Sequence, residues 1–242
     1  MNVTTGTLIN ALGATIRSTG VTGATNTLNA QVTNLGTIDV QQPMKITNTG
    51  RTFTTSAGTI NVAAGQTLSV FDGTTSVGTG TVLTGSGTFG LTGTAALDLA
   101  SNFTLPGAGG VALDLNAGNA VTVSSATPGT QFVVPVGGTQ TLYNDTFAAN
   151  VDLVNNGTVA VTGVTSTSTI NGGLSNAAGA TIRVSDQSIP PGTATLTVAN
   201  GFTNDGLIEL VNNAGNCCGP RSGDMNVTTG TLINALGATI RS

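Results

Sequence analysis

The sequence predicts an all-β fold, a parallel β-solenoid of about nine to ten coils with almost no helix, and three observations predict it. The first is a recurring phrase. Asn34-Leu35-Gly36-Thr37-Ile38-Asp39-Val40 joins an Asn and a Gly, both able to take the positive φ of a tight turn, to a short strand alternating polar and apolar. It returns with substitutions as Ser56-Ala57-Gly58-Thr59-Ile60-Asn61-Val62, as Asn155-Asn156-Gly157-Thr158-Val159-Ala160-Val161 and as Asn204-Asp205-Gly206-Leu207-Ile208-Glu209-Leu210. The second is composition. Gly, Thr, Asn, Val, Ile and Ala dominate, charged residues are 7% and aromatics 3%, and no segment sustains a 3.6-residue apolar period, so short strands and tight turns are favoured over helices. The third is a copy: residues 1–18 (MNVTTGTLINALGATIRS) reappear letter for letter as residues 225–242.

Taken in order, the coils are marked by the turn glycines Gly13, Gly36, Gly58, Gly87, Gly110, Gly129, Gly157, Gly179, Gly206 and Gly237. A longer version of the phrase, Asn10-Ala11-Leu12-Gly13-Ala14-Thr15-Ile16-Arg17 and its relative beginning at Asn176, adds two residues and so keeps the inside/outside parity of its strand. Each coil carries earlier strands as well, such as Ala194-Thr195-Leu196-Thr197-Val198 and then Gly201-Phe202-Thr203-Asn204, which suggests three strands per coil and a triangular cross-section. With strands ~4.8 Å apart, nine coils stand about 43 Å tall. The inward residues of the marker strand are expected to be Ile16, Ile38, Ile60, Phe89, Leu113, Phe132, Val159, Ile182 and Ile208, stacked as one apolar column whose burial is the main stabilising term. Thr commonly precedes the first apolar position (Thr15, Thr37, Thr59, Thr88, Thr158, Thr181), where a β-branched hydroxyl residue suits an exposed sheet face. Segments such as 41–44, 106–110, 127–129 and 189–192 read as turns, and residues 212–224 as the longest irregular loop, protruding just before the copy begins.

The copy reads most economically as a tandem repeat of 224 residues, one full period followed by the start of the next. An engineered duplication gives the same letters and leaves the coils unchanged. If the repeat is tandem, Met1 is an internal methionine and any secretion signal lies outside this segment. Charge placement favours uninterrupted stacking. The residue after the first inward position reads Arg183, Glu209, Arg241 in successive coils, and because Arg241 copies Arg17, Asp39 comes next. Signs therefore alternate along a ladder that crosses the period boundary, where like charges one strand apart are penalised.

The net charge of -4 comes from few groups, with no basic stripe for nucleic acid and no apolar run of the ~20 residues that span a bilayer. The absence of His removes Ser-His-Asp and Cys-His chemistry and any His-containing zinc site. No cofactor, metal or catalytic residue is expected. The acids weighed for catalysis are Asp98 and Asp114, set in matching Ala-Leu-Asp-Leu phrases and able to stack as a pair; single solvated charges are the plainer reading. Cys217 and Cys218 are adjacent, and a vicinal disulfide, a bond to another chain and free thiols all remain open; their place on the loop makes them candidates for a contact between fibres.

The Leu-x-x-x-x-Asn-x-Gly-Thr-Ile-x-Val phrases resemble the passenger regions of autotransporters, filamentous-haemagglutinin-type adhesins and large repeat-containing bacterial surface proteins. The resemblance spans nearly the whole chain and carries over no binding residue. It implies an exported, extracellular or cell-surface right-handed β-solenoid. The expected function is a structural repeat of a fibre, stacked head to tail on itself with possible lateral contacts. The alternatives are an adhesin segment that binds a surface glycan or host receptor and, behind it, a polysaccharide-degrading enzyme.

Overall fold

The computed structural model describes residues 1–21, 23–115, 120–163, 165–186, 192–215 and 219–242. They contain strands and turns and no helix. The chain winds through about nine turns of a parallel β-solenoid, each turn three strands long. Among the described residues all strand pairs are parallel except one: Asn213–Gly215 runs antiparallel to the start of Gly219–Val227. In place of an irregular loop, residues 213–215 and 219–221 thus pair as a small antiparallel arm at a corner, and residues 222–227 already pair in the solenoid with residues 193–198. Cys217 and Cys218 lie outside the described residues.

The three faces are best named from the first coils. Strand Asn26–Asn34 bends across a corner, so that residues 26–29 lie on face one beside Met44–Thr47 and residues 32–34 on face two beside Thr52–Thr55. Thr37–Val40 then lies on face three between Thr15–Ser18 and Thr59–Val62. Face two is paired without a break from one end of the molecule to the other. Its inward register reads Leu8, Val32, Phe53, Thr75, Leu97, Val123, Phe147, Ile170, Val198 and Val227.

The marker strands do not form one column. Ile16, Ile38, Ile60 and Leu83 stack on face three, whereas Phe89 and Leu113 pair on face one, followed along the same face by Gln140, Val159, Ile182, Ile208 and Ile240. Phe132 belongs to face three, between Phe103 and Leu153. The step from Gly58 to Gly87 covers a coil plus one strand, because the strand that stacks on Thr59–Val62 is Val82–Gly85. A second slip surrounds Gln140, a polar residue in a buried inward position that breaks the apolar pattern of Thr139–Leu142. The strand count per coil survives both slips because the three faces bury the same kinds of side chain.

The interior is aliphatic with few rings. Phe132 meets Phe147 edge-on at 5.3 Å and lies 5.9 Å from Phe103, so aromatic contacts bridge faces two and three. Ile38, Ile60, Val159 and Ile182 in the middle coils are fully buried, while Leu8, Ile16, Met225, Val227 and Leu232 in the end coils, and Leu83 on face three, are only partly covered. Most of the partly covered core residues thus lie at the two ends of the molecule.

Candidate functional site

Each end exposes a coil with the same sequence, and that sequence makes different described contacts at the two ends. At the first end, Asn10 sits buried at a corner and its Nδ2 donates to Asn34 Oδ1 at 2.7 Å and to the Thr37 carbonyl at 3.0 Å. At the other end its copy, Asn234, accepts from Asn204 Nδ2 at 2.7 Å. Asn34 in turn donates to Thr55 Oγ1 and the Thr59 carbonyl, and the asparagine pattern resumes in the later coils: Asn155 donates to Asn176 Oδ1 at 2.8 Å and to the Thr181 carbonyl, and Asn176 donates to Asn204 Oδ1 at 2.6 Å and to the Leu207 carbonyl. Each amide thus satisfies its neighbour's oxygen and the first carbonyl of the next strand, which is how a buried polar side chain avoids its desolvation penalty. In the last coil, Asn234 Nδ2 turns back to its own Ala238 carbonyl, whereas Asn10 Nδ2 donates to Asn34 and Thr37 of the next coil.

The backbone repeats the arrangement. The Leu35 and Gly36 amides donate to the Asn10 carbonyl and Thr37 to Ala14, while at the far end Ala235 donates to Asn204 and Thr239 to Gly206. The glycine of the phrase is explained here. Gly36 does not take a positive φ. A Cβ on it would lie 2.3 Å from the Ala14 carbonyl oxygen and 2.4 Å from that of Ala11, so the residue permits close stacking on the coil beneath, not a turn. In the longer phrase Gly13 takes φ 80° with open space around it.

The charged residues fall in register. Arg17 Nε lies 2.7 Å from Asp39 Oδ2, and Glu209 stands between Arg183, whose Nη1 is 3.9 Å away, and Arg241, whose Nε is 2.9 Å away and whose Nη2 also reaches Glu209. The arginine of the copied segment therefore pairs with the acid above it in one copy and with the acid below it in the other. Asp39 is the better anchored of the two acids. Burial works to raise its carboxyl, but hydrogen bonds from Gln41, Asn61 and Arg17, with the Arg17 charge, outweigh that and hold it below its ordinary value.

The two acids weighed for catalysis do not converge. Asp98 lies on face two between Ser76 and Ser124 and accepts a hydrogen bond from Ser76 at 3.0 Å, while Asp114 lies on face one opposite Gly90, so the two Ala-Leu-Asp-Leu phrases do not stack. Among the described residues no cluster of three or more Cys, Asp or Glu is arranged to hold a metal ion, and no helix is long and apolar enough to cross a membrane. Asp145 is fully buried and pushed up to about 7 by desolvation, against the backbone N–H groups of Tyr143 and Val121 that favour its ionised form and with the Asp114 charge adding to the rise. It ties a corner together, close enough to Asp114 to feel that carboxylate's charge.

The asparagine ladder escapes a reading that treats Asn as a turn residue. Its signal is nevertheless in the sequence: Asn recurs two residues before the phrase glycine at Asn34, Asn155 and Asn204, and closes a strand each time. No family model matches the chain, and no curated protein or solved structure matches it; the reading rests on the chain's own geometry.

Proposed function

We propose that the chain is a structural repeat of a fibre, built to continue head to tail through strand pairing, the asparagine ladder and the buried column. One observation carries this reading: the two identical end segments display complementary halves of one junction. Superposed in thought, residues 1–18 and 225–242 place Asn204, the shared asparagine and Asn34 in one ladder, and Glu209, the shared arginine and Asp39 in one charge row. Open sheet edges at both ends invite further strands, and a contact that does not close on itself gives a filament. The scarcity of charge and the β-solenoid architecture suit an exported, non-catalytic scaffold at or outside the cell surface. The test is negative-stain microscopy of chains carrying one, two and three consecutive units. Rods that lengthen by about 45 Å per unit, from nine coils and a third at ~4.8 Å each, support the proposal; beads separated by thin linkers overturn it.

A further inference from the structure

We infer that consecutive 224-residue units are turned by one face of the triangular solenoid relative to each other, so that a feature returns to the same side of the fibre only every third unit. The inference rests on the head-to-tail reading and adds the rotational phase of the stack. The unbroken pairing of face two supplies the argument. From Leu8 to Val227 it passes through nine steps, each one coil. Val227 is the copy of Val3, and Val3 lies beyond the bend of Asn2–Asn10 on face one, where Asn2 pairs with Asn29. One period therefore contains nine coils and one strand more.

All three segments of the copy show the same displacement. Residues 2–3 lie on face one and residues 226–227 on face two. Leu8 and Asn10 lie on face two, while Leu232 and Asn234 pair with Phe202 and Asn204 in the sheet that also holds Phe132, on face three. Ile16 and Arg17 lie on face three, while Ile240 and Arg241 pair with Ile208 and Glu209 on face one. The displacement leaves the junction chemistry intact, because a strand meets the same local partners whichever face it occupies. Its effect is on the outside. Any surface that occurs once per unit, such as the antiparallel arm begun by Asn213–Gly215, is presented at each corner of the triangle in turn along the fibre. Like fibres then meet such a surface on three sides and not along a single edge.

The phase is tested by electron cryo-microscopy, at a resolution that traces strands, of a chain carrying three consecutive units. The expected map places the three copies of Asn34 on three different faces, with the side-on pattern repeating after twenty-eight coils, about 134 Å at ~4.8 Å per coil. A continuous rod whose three copies of Asn34 share one face requires a strand to be gained or lost at every junction, and it overturns the turn while leaving head-to-tail stacking intact. Units that fold as separate bodies overturn both.

Discussion

At the scale of single residues, the tightest constraint is the distance between coils. Gly36 and Gly206 each carry a backbone that a Cβ would drive to within 2.4 Å or less of a carbonyl oxygen one coil below, against Ala14 and Ala180. A backbone carbonyl in a paired strand cannot retreat without breaking the ladder beside it. Gly36→Ala is therefore expected to destabilise the fold by roughly 2–4 kcal/mol, in the range of severe overpacking. Gly13→Ala meets nothing within 4 Å and suffers only the strain of φ 80°, about 1 kcal/mol. Urea denaturation of the two variants separates close approach from turn geometry, and equal losses contradict this account. Asp145 sets a second constraint, on pH. Its folded value of about 7 lies above the ordinary 3.8, so between those values the folded state binds a proton that the unfolded state releases. Stability from this group is full below about pH 4 and falls as pH rises to about 7, by roughly 4 kcal/mol at ~1.36 kcal/mol per unit. Asp39, whose value is lowered, acts with the opposite sign and loses its contribution as pH falls through the acidic carboxylate range. Denaturation midpoints measured from pH 4 to 8 are expected to decline, and Asp145→Asn is expected to flatten that decline; an unchanged slope in the variant contradicts the assignment.

At the scale of elements, the strand is the unit that the sequence spells out, and the face it joins is not. The alternation Thr37-Ile38-Asp39-Val40 announces a strand with Ile38 and Val40 inward, and both are fully buried. Nothing local distinguishes Val82–Gly85 from Thr88–Leu99 as the strand above Thr59–Val62, since Gly80-Thr81-Val82-Leu83 and Gly87-Thr88-Phe89 read alike. Pairing partners are decided by how many residues each corner consumes, and corners here vary in length while burying the same aliphatic side chains. The asparagine ladder is hard to read for a related reason: Asn recurs before the phrase glycine, but a hydrogen bond between residues some twenty or thirty apart leaves no mark in a window of ten. Gln140 shows the opposite case, a local pattern defeated by one polar residue. It is buried between Val159 and the coil beneath, its Nε2 donates to the Thr141 carbonyl at 2.7 Å, and its Oε1 has no partner. A buried oxygen without a donor costs about 1–3 kcal/mol. Gln140→Met keeps the length of the side chain and removes the orphan, so the variant is expected to gain about 1 kcal/mol, read as a raised denaturation midpoint. A loss of stability there means that the Thr141 hydrogen bond outweighs the unpaired oxygen.

At the scale of the whole molecule, stability in a stack of coils is a sum of terms within each coil and between nearest neighbours, so an end coil is always the weakest. The last coil is held from one side only. Ile240 is 43% exposed where its copy Ile16 is partly covered by Ile38, and Leu232 and Val227 are half-buried. Appending a segment that repeats residues 19–42 supplies strands above them: a second copy of residues 26–29 for Val227, of residues 32–34 for Leu232, and of Thr37–Val40 for Ile240. It also brings an acid equivalent to Asp39 beside Arg241 and an amide oxygen equivalent to that of Asn34 beside Asn234. Ordering the added residues consumes much of what burial supplies, so the net gain is expected to be a few kcal/mol, on the order of 3, from completing the three half-buried positions at roughly 1 kcal/mol each. Thermal denaturation compares the 242-residue chain, the extended chain and a chain extended by the same residues in scrambled order. A raised midpoint for the ordered extension alone shows that the last coil is a seat for the sequence that follows in the repeat. Equal midpoints for the ordered and scrambled extensions mean that the half-covered end is a finished surface, and that the identity of residues 1–18 and 225–242 has a cause other than stacking.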